Sequence, residues 1–99
     1  YRCIHRKPEK MKVLIDKSFA KDIESIDNKK VLHALVELIE KIRKKEQISQ
    51  IHNCKKLKGT KNAYRIRLGD YRIGFVFNGQ DIEFIRFLHR KDIYNYFPD

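Results

Sequence analysis

The sequence has few of the residues that mark disulfide-bonded and cofactor-binding proteins. It contains two cysteines, two prolines, four glycines and no tryptophan. Cys3 and Cys54 are too far apart for a CxxC motif, and no second cysteine pair completes a zinc site, so we expect two free thiols. A glycine-rich phosphate loop, Gly-x-Ser-x-Gly and HExxH are also missing. We therefore expect no metal and no organic cofactor.

Long apolar runs are missing as well. No stretch approaches the roughly 18 apolar residues of a membrane span, and the N-terminal segment lacks the apolar stretch of a signal peptide. A cytoplasmic protein with no membrane partner is expected. Residues 1–10 show neither helical nor strand periodicity and are interpreted as a leader or an upstream extension. Residues 11–99 have a length typical of one hydrophobic core and are interpreted as a single domain.

The first half of the domain has the pattern of one strand followed by two helices. The β-branched run Lys12 to Asp16 predicts a first, buried strand. Apolar residues at spacings of three and four then predict a helix from Lys17 to Ile26 and a longer helix through about Lys45. Asp16 or Ser18 is placed to cap the first helix, and Asn28 the second. Two antiparallel helices joined by a tight turn follow from this pattern.

The second half has the period of β-strands. From Tyr64 onward apolar and polar residues alternate, and turns at 69–70 and 78–81 divide the segment into three strands. The last of these, Ile82 to Leu88, is so apolar that we expect both of its faces to be covered. The expected fold is α+β with the order β-α-α-β-β-β. A two-helix hairpin packs on one face of a small, mainly antiparallel four-stranded sheet.

Positive charge is the feature that the sequence has in excess. There are 23 lysines and arginines against 13 acids, and the formal net charge is +10. Between Lys55 and Arg72, seven basic residues accompany one acid, Asp70. Nucleic acid, an anionic membrane and an acidic protein all suit such a surface, and the simplest alternative is a solvated sheet face. No basic amphipathic helix favours lipid.

The arginines are arranged to converge. Arg65 and Arg67 share a strand face because side chains alternate, and Arg72 follows across the turn, where it can pair near them. The planar fork of arginine suits phosphate oxygens. The C-terminal segment adds more cations, an imidazole and two tyrosine rings that can stack on an unpaired base: Arg86, His89, Arg90, Lys91, Tyr94 and Tyr96. This combination favours a single-stranded RNA site over a membrane surface.

Three segments, in this order and spacing, resemble the RelE/ParE toxins of bacterial toxin-antitoxin modules. They are Leu57-Lys58-Gly59, the segment 63–73 (Ala-Tyr-Arg-Ile-Arg-Leu-Gly-Asp-Tyr-Arg-Ile) and the segment 88–94 (Leu-His-Arg-Lys-Asp-Ile-Tyr), within a match that covers residues 11–97. The resemblance implies a ribosome-dependent mRNA endonuclease that acts on mRNA in the ribosomal A site and contacts rRNA. It also implies a cognate antitoxin that holds the toxin inactive, with a possible toxin-antitoxin hetero-oligomer.

The resemblance further implies an active site that works without metal. In RelE-type toxins it contains two basic residues of one strand, an arginine of the next strand, and a C-terminal arginine and tyrosine. These positions correspond to Arg65, Arg67, Arg72, Arg90 and Tyr94, and His89 stands where related toxins often have a histidine. RNA binding around this site is expected of Lys55, Lys56, Lys58, Lys61, Arg86, Lys91 and Tyr96.

The implied reaction is attack of the RNA 2′-hydroxyl on the adjacent phosphorus. It needs a base for the hydroxyl proton, cations for the charge on phosphate, and an acid for the leaving 5′-oxygen. Many RelE toxins have lysines at the first-strand pair, whereas this chain has Arg65 and Arg67. Because a guanidinium stays protonated near neutral pH, His89 is the first candidate for the base and Tyr94 the second.

Two other functions remain open at this point. ParE-type members of the superfamily poison DNA gyrase and can share the fold and the basic strands. A noncatalytic module whose basic groove binds only an antitoxin peptide is the third hypothesis. The helix acids Asp22, Glu24, Glu37 and Glu40 are interpreted as solvated, which argues against a carboxylate acid-base pair.

Overall fold

The computed structural model describes residues 12–45 and 48–97, which form a sheet with helices on both faces. In chain order the elements are β1 (Lys12–Ile15), α1 (Lys17–Glu24), α2 (Lys29–Arg43), a short 3-10 helix (Ile48–Gln50), β2 (Cys54–Lys56), β3 (Ala63–Leu68), β4 (Tyr71–Phe77), β5 (Asp81–His89) and α3 (Ile93–Tyr96). The predicted leader lies outside the described residues. No helix within the described part of the chain is long and apolar enough to cross a membrane.

The sheet has the strand order β1-β5-β4-β3-β2. β1 runs parallel to β5, and every other neighbouring pair is antiparallel, so the predicted α+β class and three-stranded meander are confirmed. The prediction of four strands is wrong, because β2 adds a fifth. Its three residues pair with β3 from Cys54 opposite Ile66 to Lys56 opposite Tyr64. Such a short, basic segment has no alternation, and the sequence predicts only a loop with a short strand or turn over residues 47–58.

Both long helices begin at the predicted caps. The carboxylate of Asp16 accepts a hydrogen bond of 3.0 Å from the amide of Ser18, and the side chain of Asn28 accepts from the amides of Lys30 and Val31 at 2.9 and 3.3 Å. These bonds satisfy amides that have no partner within the helix. The hydroxyl and amide of Ser18 also hold the pKa of Asp16 below its usual value.

The main core lies between the two long helices and one face of the sheet, which we call the covered face. Phe19 of α1 stacks on Phe84 of β5 with ring centroids 5.3 Å apart. The other fully buried members come from α2 and the central strands: Leu35, Ile42, Ile66, Ile73, Phe75, Ile82 and Phe87. Alternation therefore sends the intervening residues of β3 and β4 to the opposite face, which we call the open face.

A second, smaller core covers part of the open face. Ile93 of α3 and the following Phe97 are buried there with Ala63 of β3. Partly buried residues of both outer and inner strands pack against them: Leu57, Val76, Ile85 and Leu88. β5 thus contributes apolar side chains to both cores, as its largely apolar run predicts.

The prediction that the first strand is buried is wrong. Among the described strands, β1 lies at the edge of the sheet and pairs with β5 alone. Val13 packs against the main core, but Leu14 and Ile15 are 38% and 48% exposed. An edge strand has a neighbour on one side only, so a β-branched run is compatible with an exposed position.

β5 contains an irregularity that reverses the direction of its last side chains. Gly74 of β4 lies opposite Arg86, whereas the next residue, Phe75, lies opposite Phe84, so Ile85 is an extra residue in β5. A β-bulge of this kind shifts the alternation by one residue. Phe87 therefore packs in the main core. From there on, the side chains of β5 point to the faces opposite to those that uninterrupted alternation from Phe84 would give.

Candidate functional site

Three arginines of neighbouring strands share the open face. Arg67 of β3 lies directly opposite Arg72 of β4, and Arg65 lies opposite Gly74. Directly paired residues project to the same face, so the prediction that Arg72 joins Arg65 and Arg67 is confirmed. Ile66, which lies between the two β3 arginines, is buried in the main core on the other face. Burial of the alternating apolar residues therefore fixes the pairing of the strands, and with it the face on which the arginines lie.

The charge of these arginines has no internal compensation in the described residues. Within 12–45 and 48–97 no carboxylate forms an ion pair with Arg65, Arg67 or Arg72. Arg72 instead donates through Nη1 to the backbone carbonyls of Gly69 and Tyr71, both at 2.9 Å. Like charges directly opposite each other destabilise a sheet by some tenths of a kcal/mol. An anion bound between them would remove this repulsion and gain charge-assisted hydrogen bonds.

Arg65 also contacts the aromatic ring of α3. Its guanidinium carbon lies 4.6 Å from the ring centroid of Tyr94, which is within the range of a cation-π interaction. Tyr94 is 69% exposed, so its ring is open to solvent on the side away from Arg65. The pair combines a phosphate-binding group with a flat surface on which a base can stack.

The arginine and the tyrosine lie at a groove with a basic wall. The groove has a volume of about 280 Å³ and is lined by Lys55, Lys56, Leu57, Lys58, Arg65, Tyr94 and Phe97. Leu57 and Phe97 supply an apolar floor, and the three lysines supply charge along β2 and the residues after it. Cations beside aromatic and apolar groups are the composition expected of a single-stranded nucleic acid site.

Glycine at position 74 allows α3 to approach the sheet. A Cβ atom added to Gly74 would overlap the ring carbons of Phe97. The Phe97 ring therefore lies directly on the backbone of β4, and the buried Ile93 fixes the other end of the helix. A glycine inside a strand often marks such a close approach. This contact holds Tyr94 above Arg65.

Arg90 and Lys91 lie in the turn between β5 and α3. The amide of Arg90 donates to the carbonyl of Asp70 at 2.8 Å, which places Arg90 beside the β3–β4 turn and near the end of the sheet that carries Arg67 and Arg72. Both side chains are exposed. Lys61, also exposed, is in the β2–β3 connection outside the groove lining.

The sequence assigns His89 to the same site as the arginines, but the structure places it on the other side of the sheet. His89 lies opposite Tyr71, and its ring contacts the Tyr71 ring edge-on with centroids 5.6 Å apart. Tyr71 packs against the main core, so His89 is on the covered side of the sheet. The bulge at Ile85 explains the error, because uninterrupted alternation from Phe84 would send residue 89 to the open face. Nδ1 of His89 accepts from the amide of Lys91 at 3.2 Å.

Arg86 and Asp22 form an internal ion pair, whereas the sequence predicts a solvated acid and an RNA-binding arginine. Nε and Nη2 of Arg86 donate to the two carboxylate oxygens of Asp22 at 2.8 and 2.9 Å, and the amide of Phe87 donates to the same carboxylate at 2.9 Å. Asp22 is 8% exposed, so the prediction of a solvated acid is wrong. Arg86 also lies over the ring of Tyr96, 5.0 Å from its centroid. This geometry gives Arg86 and Tyr96 internal partners and does not support their predicted RNA contacts.

A pattern in the sequence could have identified Asp22. It follows Phe19 by three residues and precedes Ile26 by four, which places it on the apolar stripe of α1. An acid on that stripe needs a buried partner. Gly74, an isolated glycine in a strand pattern, was the corresponding signal for the close approach of α3. Nothing in the sequence indicated that Leu57 and Phe97 line the groove.

Cys54 and potential metal ligands lie outside the groove. Cys54 packs against the main core, and its burial raises the pKa of the thiol to about 11, so it is a poor nucleophile at neutral pH. In residues 12–45 and 48–97, His, Cys, Asp and Glu side chains form no group of three that could hold a metal ion.

Comparison with known proteins identifies the family. The family model of the ParE toxin of type II toxin-antitoxin systems, parDE, matches residues 13–94. The chain belongs to this toxin family. The toxin is also 43% identical over 89 residues to Toxin RelE3 of Methanocaldococcus jannaschii, a match that covers 89% of this chain and all of that protein.

Solved structures have the same fold. The RelB-RelE antitoxin-toxin complex from Methanococcus jannaschii matches with a TM-score of 0.74 and 40% identity, over 86% of the toxin and 99% of that chain. The archaeal RelE-RelB complex from Pyrococcus horikoshii OT3 matches with a TM-score of 0.65 and 25% identity, over 82% and 96% of the two chains. These similarities confirm the RelE-like fold of the toxin.

Proposed function

We propose that this toxin is an mRNA endonuclease that acts in the ribosomal A site and thereby inhibits translation. The observation that carries the proposal is the stack of Arg65 on the exposed ring of Tyr94, at the mouth of a lysine-lined groove. A solvated sheet face would not need an arginine held against an exposed aromatic ring. A ribosomal target implies a cytoplasmic location.

The open-face arginines are assigned to the phosphate. Arg65, Arg67 and Arg72 bind the scissile phosphate and stabilise the charge that develops on it as the 2′-hydroxyl attacks the phosphorus. Their guanidiniums can each offer two parallel hydrogen bonds to phosphate oxygens. Arg90, at the same end of the sheet as Arg67 and Arg72, is assigned to the leaving 5′-oxygen. The bond from phosphorus to that oxygen breaks, the proton lost by the 2′-hydroxyl ends on the 5′-oxygen, and a 2′,3′-cyclic phosphate remains.

The groove binds the RNA on either side of the cut. The ring of Tyr94 stacks on a base and holds the adjacent ribose in line with the phosphate. Lys55, Lys56 and Lys58 contact neighbouring phosphates of the mRNA or of rRNA. Lys61 and Lys91, exposed nearby, add to the attraction of the RNA backbone.

Tyr94 replaces His89 as the group assigned to the 2′-hydroxyl: its phenol oxygen accepts the hydroxyl proton while its own proton passes to a phosphate oxygen. His89 contacts Tyr71 on the covered side, and the guanidiniums remain protonated near neutral pH. Tyr94 is given this role because its ring lies against Arg65, one of the arginines assigned to the phosphate. Much of the rate enhancement is assigned to charge stabilisation and orientation, which need no strong base.

A cognate antitoxin is the proposed protein partner. The solved complexes of RelE with RelB provide the analogy, at 40% and 25% identity. The cations of the open face and groove would attract an acidic segment of such a partner. An antitoxin segment lying there would exclude RNA, and the two proteins would form a hetero-oligomer.

Cleavage on translating ribosomes tests this proposal. Purified toxin is added to a translation reaction, and mRNA breaks are mapped by primer extension. We expect breaks with the wild-type toxin and about 100-fold less cleavage with Arg65→Ala or Arg72→Ala, the usual cost of removing one charge-stabilising group. Arg43→Ala is the matched control, because Arg43 is an exposed arginine of α2 on the other side of the sheet. Intact message at every toxin concentration contradicts the nuclease.

A gyrase poison is the second candidate, favoured by the match to the ParE toxin family model. The same toxin preparation is therefore added to DNA gyrase with supercoiled plasmid. Double-strand breaks that depend on gyrase, together with intact mRNA, would replace the nuclease with the gyrase hypothesis. Activity in neither reaction would leave the noncatalytic antitoxin-binding module.

A further inference from the structure

α3 is held on both flanks by an arginine. Tyr94 lies against Arg65 of β3, and Tyr96 lies against Arg86 of β5, with distances of 4.6 and 5.0 Å from guanidinium carbon to ring centroid. Ile93 and Phe97 are the buried residues of the same segment. At about 100° per residue, positions 94 and 96 fall on opposite sides of the direction in which 93 and 97 point. The helix therefore has an apolar base and one cation-π contact on each side.

This helix needs such contacts because it is too short to be stable alone. It spans four residues, and its N-cap Asp92 makes no side-chain capping bond. Isolated helices shorter than about 12 residues are marginal in water. The position of Tyr94 over Arg65 therefore depends on the contacts that fix the rest of α3.

Arg86, which contacts the Tyr96 side of α3, is itself held in place by Asp22. Its two hydrogen bonds to Asp22 and the bond from the Phe87 amide to the same carboxylate hold the guanidinium in one orientation. The side chains of Arg86 and Asp22 are 23% and 10% exposed, so solvent competes little for these bonds. Arg86 thereby connects α1, which lies on the covered face, with α3, which lies on the open face.

We infer that Asp22, Arg86 and Tyr96 are positioning residues that set the ring of Tyr94 over Arg65. Its effect on RNA cleavage rests on the proposed function. Its geometric part, the position of the Tyr94 ring over Arg65, does not. Asp22 orients Arg86, Arg86 binds the ring of Tyr96, and Tyr96 fixes the rotation of α3 about its buried side. None of the three residues touches RNA in this arrangement.

The geometric part is tested by NMR on the full chain. A ring above a guanidinium shifts the Arg65 Nε–H proton resonance upfield, and loss of the contact moves it back. We expect Tyr96→Leu to move this resonance toward the value measured in Tyr94→Leu, and Tyr96→Phe to leave it in place because phenylalanine keeps the ring. Asn95→Leu is the control on the exposed side of the same helix. An Arg65 resonance unchanged in Tyr96→Leu overturns the inference.

The functional part is tested by cleavage kinetics with the same variants. Misplacement of a reacting group by about 1 Å can cost about 100-fold, and for a partial loss of order we expect kcat to fall about tenfold in Tyr96→Leu with little change in KM. In a Tyr94→Leu background the Tyr96→Leu change should cost nothing further, because it acts only through Tyr94. Equal losses in both backgrounds would instead indicate a general structural role and overturn the inference.

The two readouts separate this inference from the proposed function. If wild-type toxin leaves mRNA intact, the nuclease fails, and the Arg65 resonance still decides whether Tyr96 positions Tyr94. Asp22→Asn extends the test along the network if that variant folds, with the same expected movement of the Arg65 resonance. A folded Asp22→Asn chain with an unmoved resonance removes Asp22 from the network.

Discussion

Arg65 and Arg86 both lie against a tyrosine of α3, but their charges are compensated differently. Arg86 is bound to the buried carboxylate of Asp22 with good bidentate geometry. Arg65 has no carboxylate partner within the described residues 12–45 and 48–97, and two more arginines share its face. The same residue type thus supports the structure at one flank of the helix and presents an unmatched charge at the other. Charge compensation is therefore the observation on which we separate the structural role of Arg86 from the proposed RNA-binding role of Arg65.

The largest effect on stability is expected from breaking the ion pair between Asp22 and Arg86. Asp22→Asn leaves the half-buried Arg86 without its counter-ion, and we expect the free energy of unfolding to fall by about 3 kcal/mol. Urea denaturation measures it. Glu40→Gln is the matched control, because it breaks the exposed pair of Glu40 with Arg43 at 3.1 Å and should cost less than about 0.5 kcal/mol. Similar losses in the two variants would contradict the contrast between buried and exposed pairs.

A somewhat smaller loss of stability is expected from disturbing the contact between Phe97 and Gly74, which holds α3 on the sheet. Gly74→Ala introduces a methyl group into the space of the Phe97 ring, and overpacking of this kind costs about 1 to 3 kcal/mol. Thermal or urea denaturation checks the loss, and the Arg65 resonance should report a displaced Tyr94. Reducing the ring in Gly74→Ala/Phe97→Leu should recover part of the NMR shift. Normal stability of the single variant would show that α3 does not lie on β4.

The covered face makes a third prediction, about reactivity. Burial raises the pKa of Cys54 to about 11, so its thiolate fraction stays low at every pH well below that value. We expect alkylation by iodoacetamide at pH 8 to be at least about tenfold slower in the folded chain than in urea, followed on the Cys54 peptide by mass spectrometry. The difference should shrink as the pH rises toward about 11. Equal rates at pH 8 would place Cys54 in solvent.

The smallest effect concerns the uncompensated face itself. Arg67→Thr removes the like-charge pair with Arg72, and we expect a gain of a few tenths of a kcal/mol in the free energy of unfolding together with weaker RNA cleavage. The gain should decrease with added salt, which screens exposed charges. Lys56→Thr is the matched control, because Lys56 lies opposite the uncharged Tyr64. A stability loss in Arg67→Thr would contradict repulsion between these arginines.

The sequence predicted the parts of the molecule that depend on local pattern. Asp16 and Asn28 cap their helices as the sequence predicts, and strict alternation put Arg65, Arg67 and Arg72 on one face. Local rules suffice here because capping and alternation are properties of neighbouring residues. The prediction of a shared arginine face needed only the register of one hairpin.

The errors arose where distant segments meet. The bulge at Ile85 reverses the phase of β5 and moves His89 to the other face, and no residue in that apolar run marks the extra position. Asp22 is buried because it forms an ion pair with Arg86, which lies 64 residues away in the sequence. β1 is exposed because it is the edge strand of the sheet. Each depends on tertiary packing, which overrides local propensity.

The chemistry of the cut RNA ends tests the central claim most directly. mRNA recovered from translating ribosomes is treated with a phosphatase and a cyclic-phosphate-specific ligase to identify the 3′ terminus at each break. Attack by the 2′-hydroxyl at the Arg65–Tyr94 site predicts 2′,3′-cyclic phosphates at breaks within the A-site codon. These breaks are expected with wild-type and Arg43→Ala toxin and should be about 100-fold fewer with Arg65→Ala. Breaks that end in a 3′-hydroxyl, or breaks that are as frequent with Arg65→Ala as with the wild type, would contradict the mechanism.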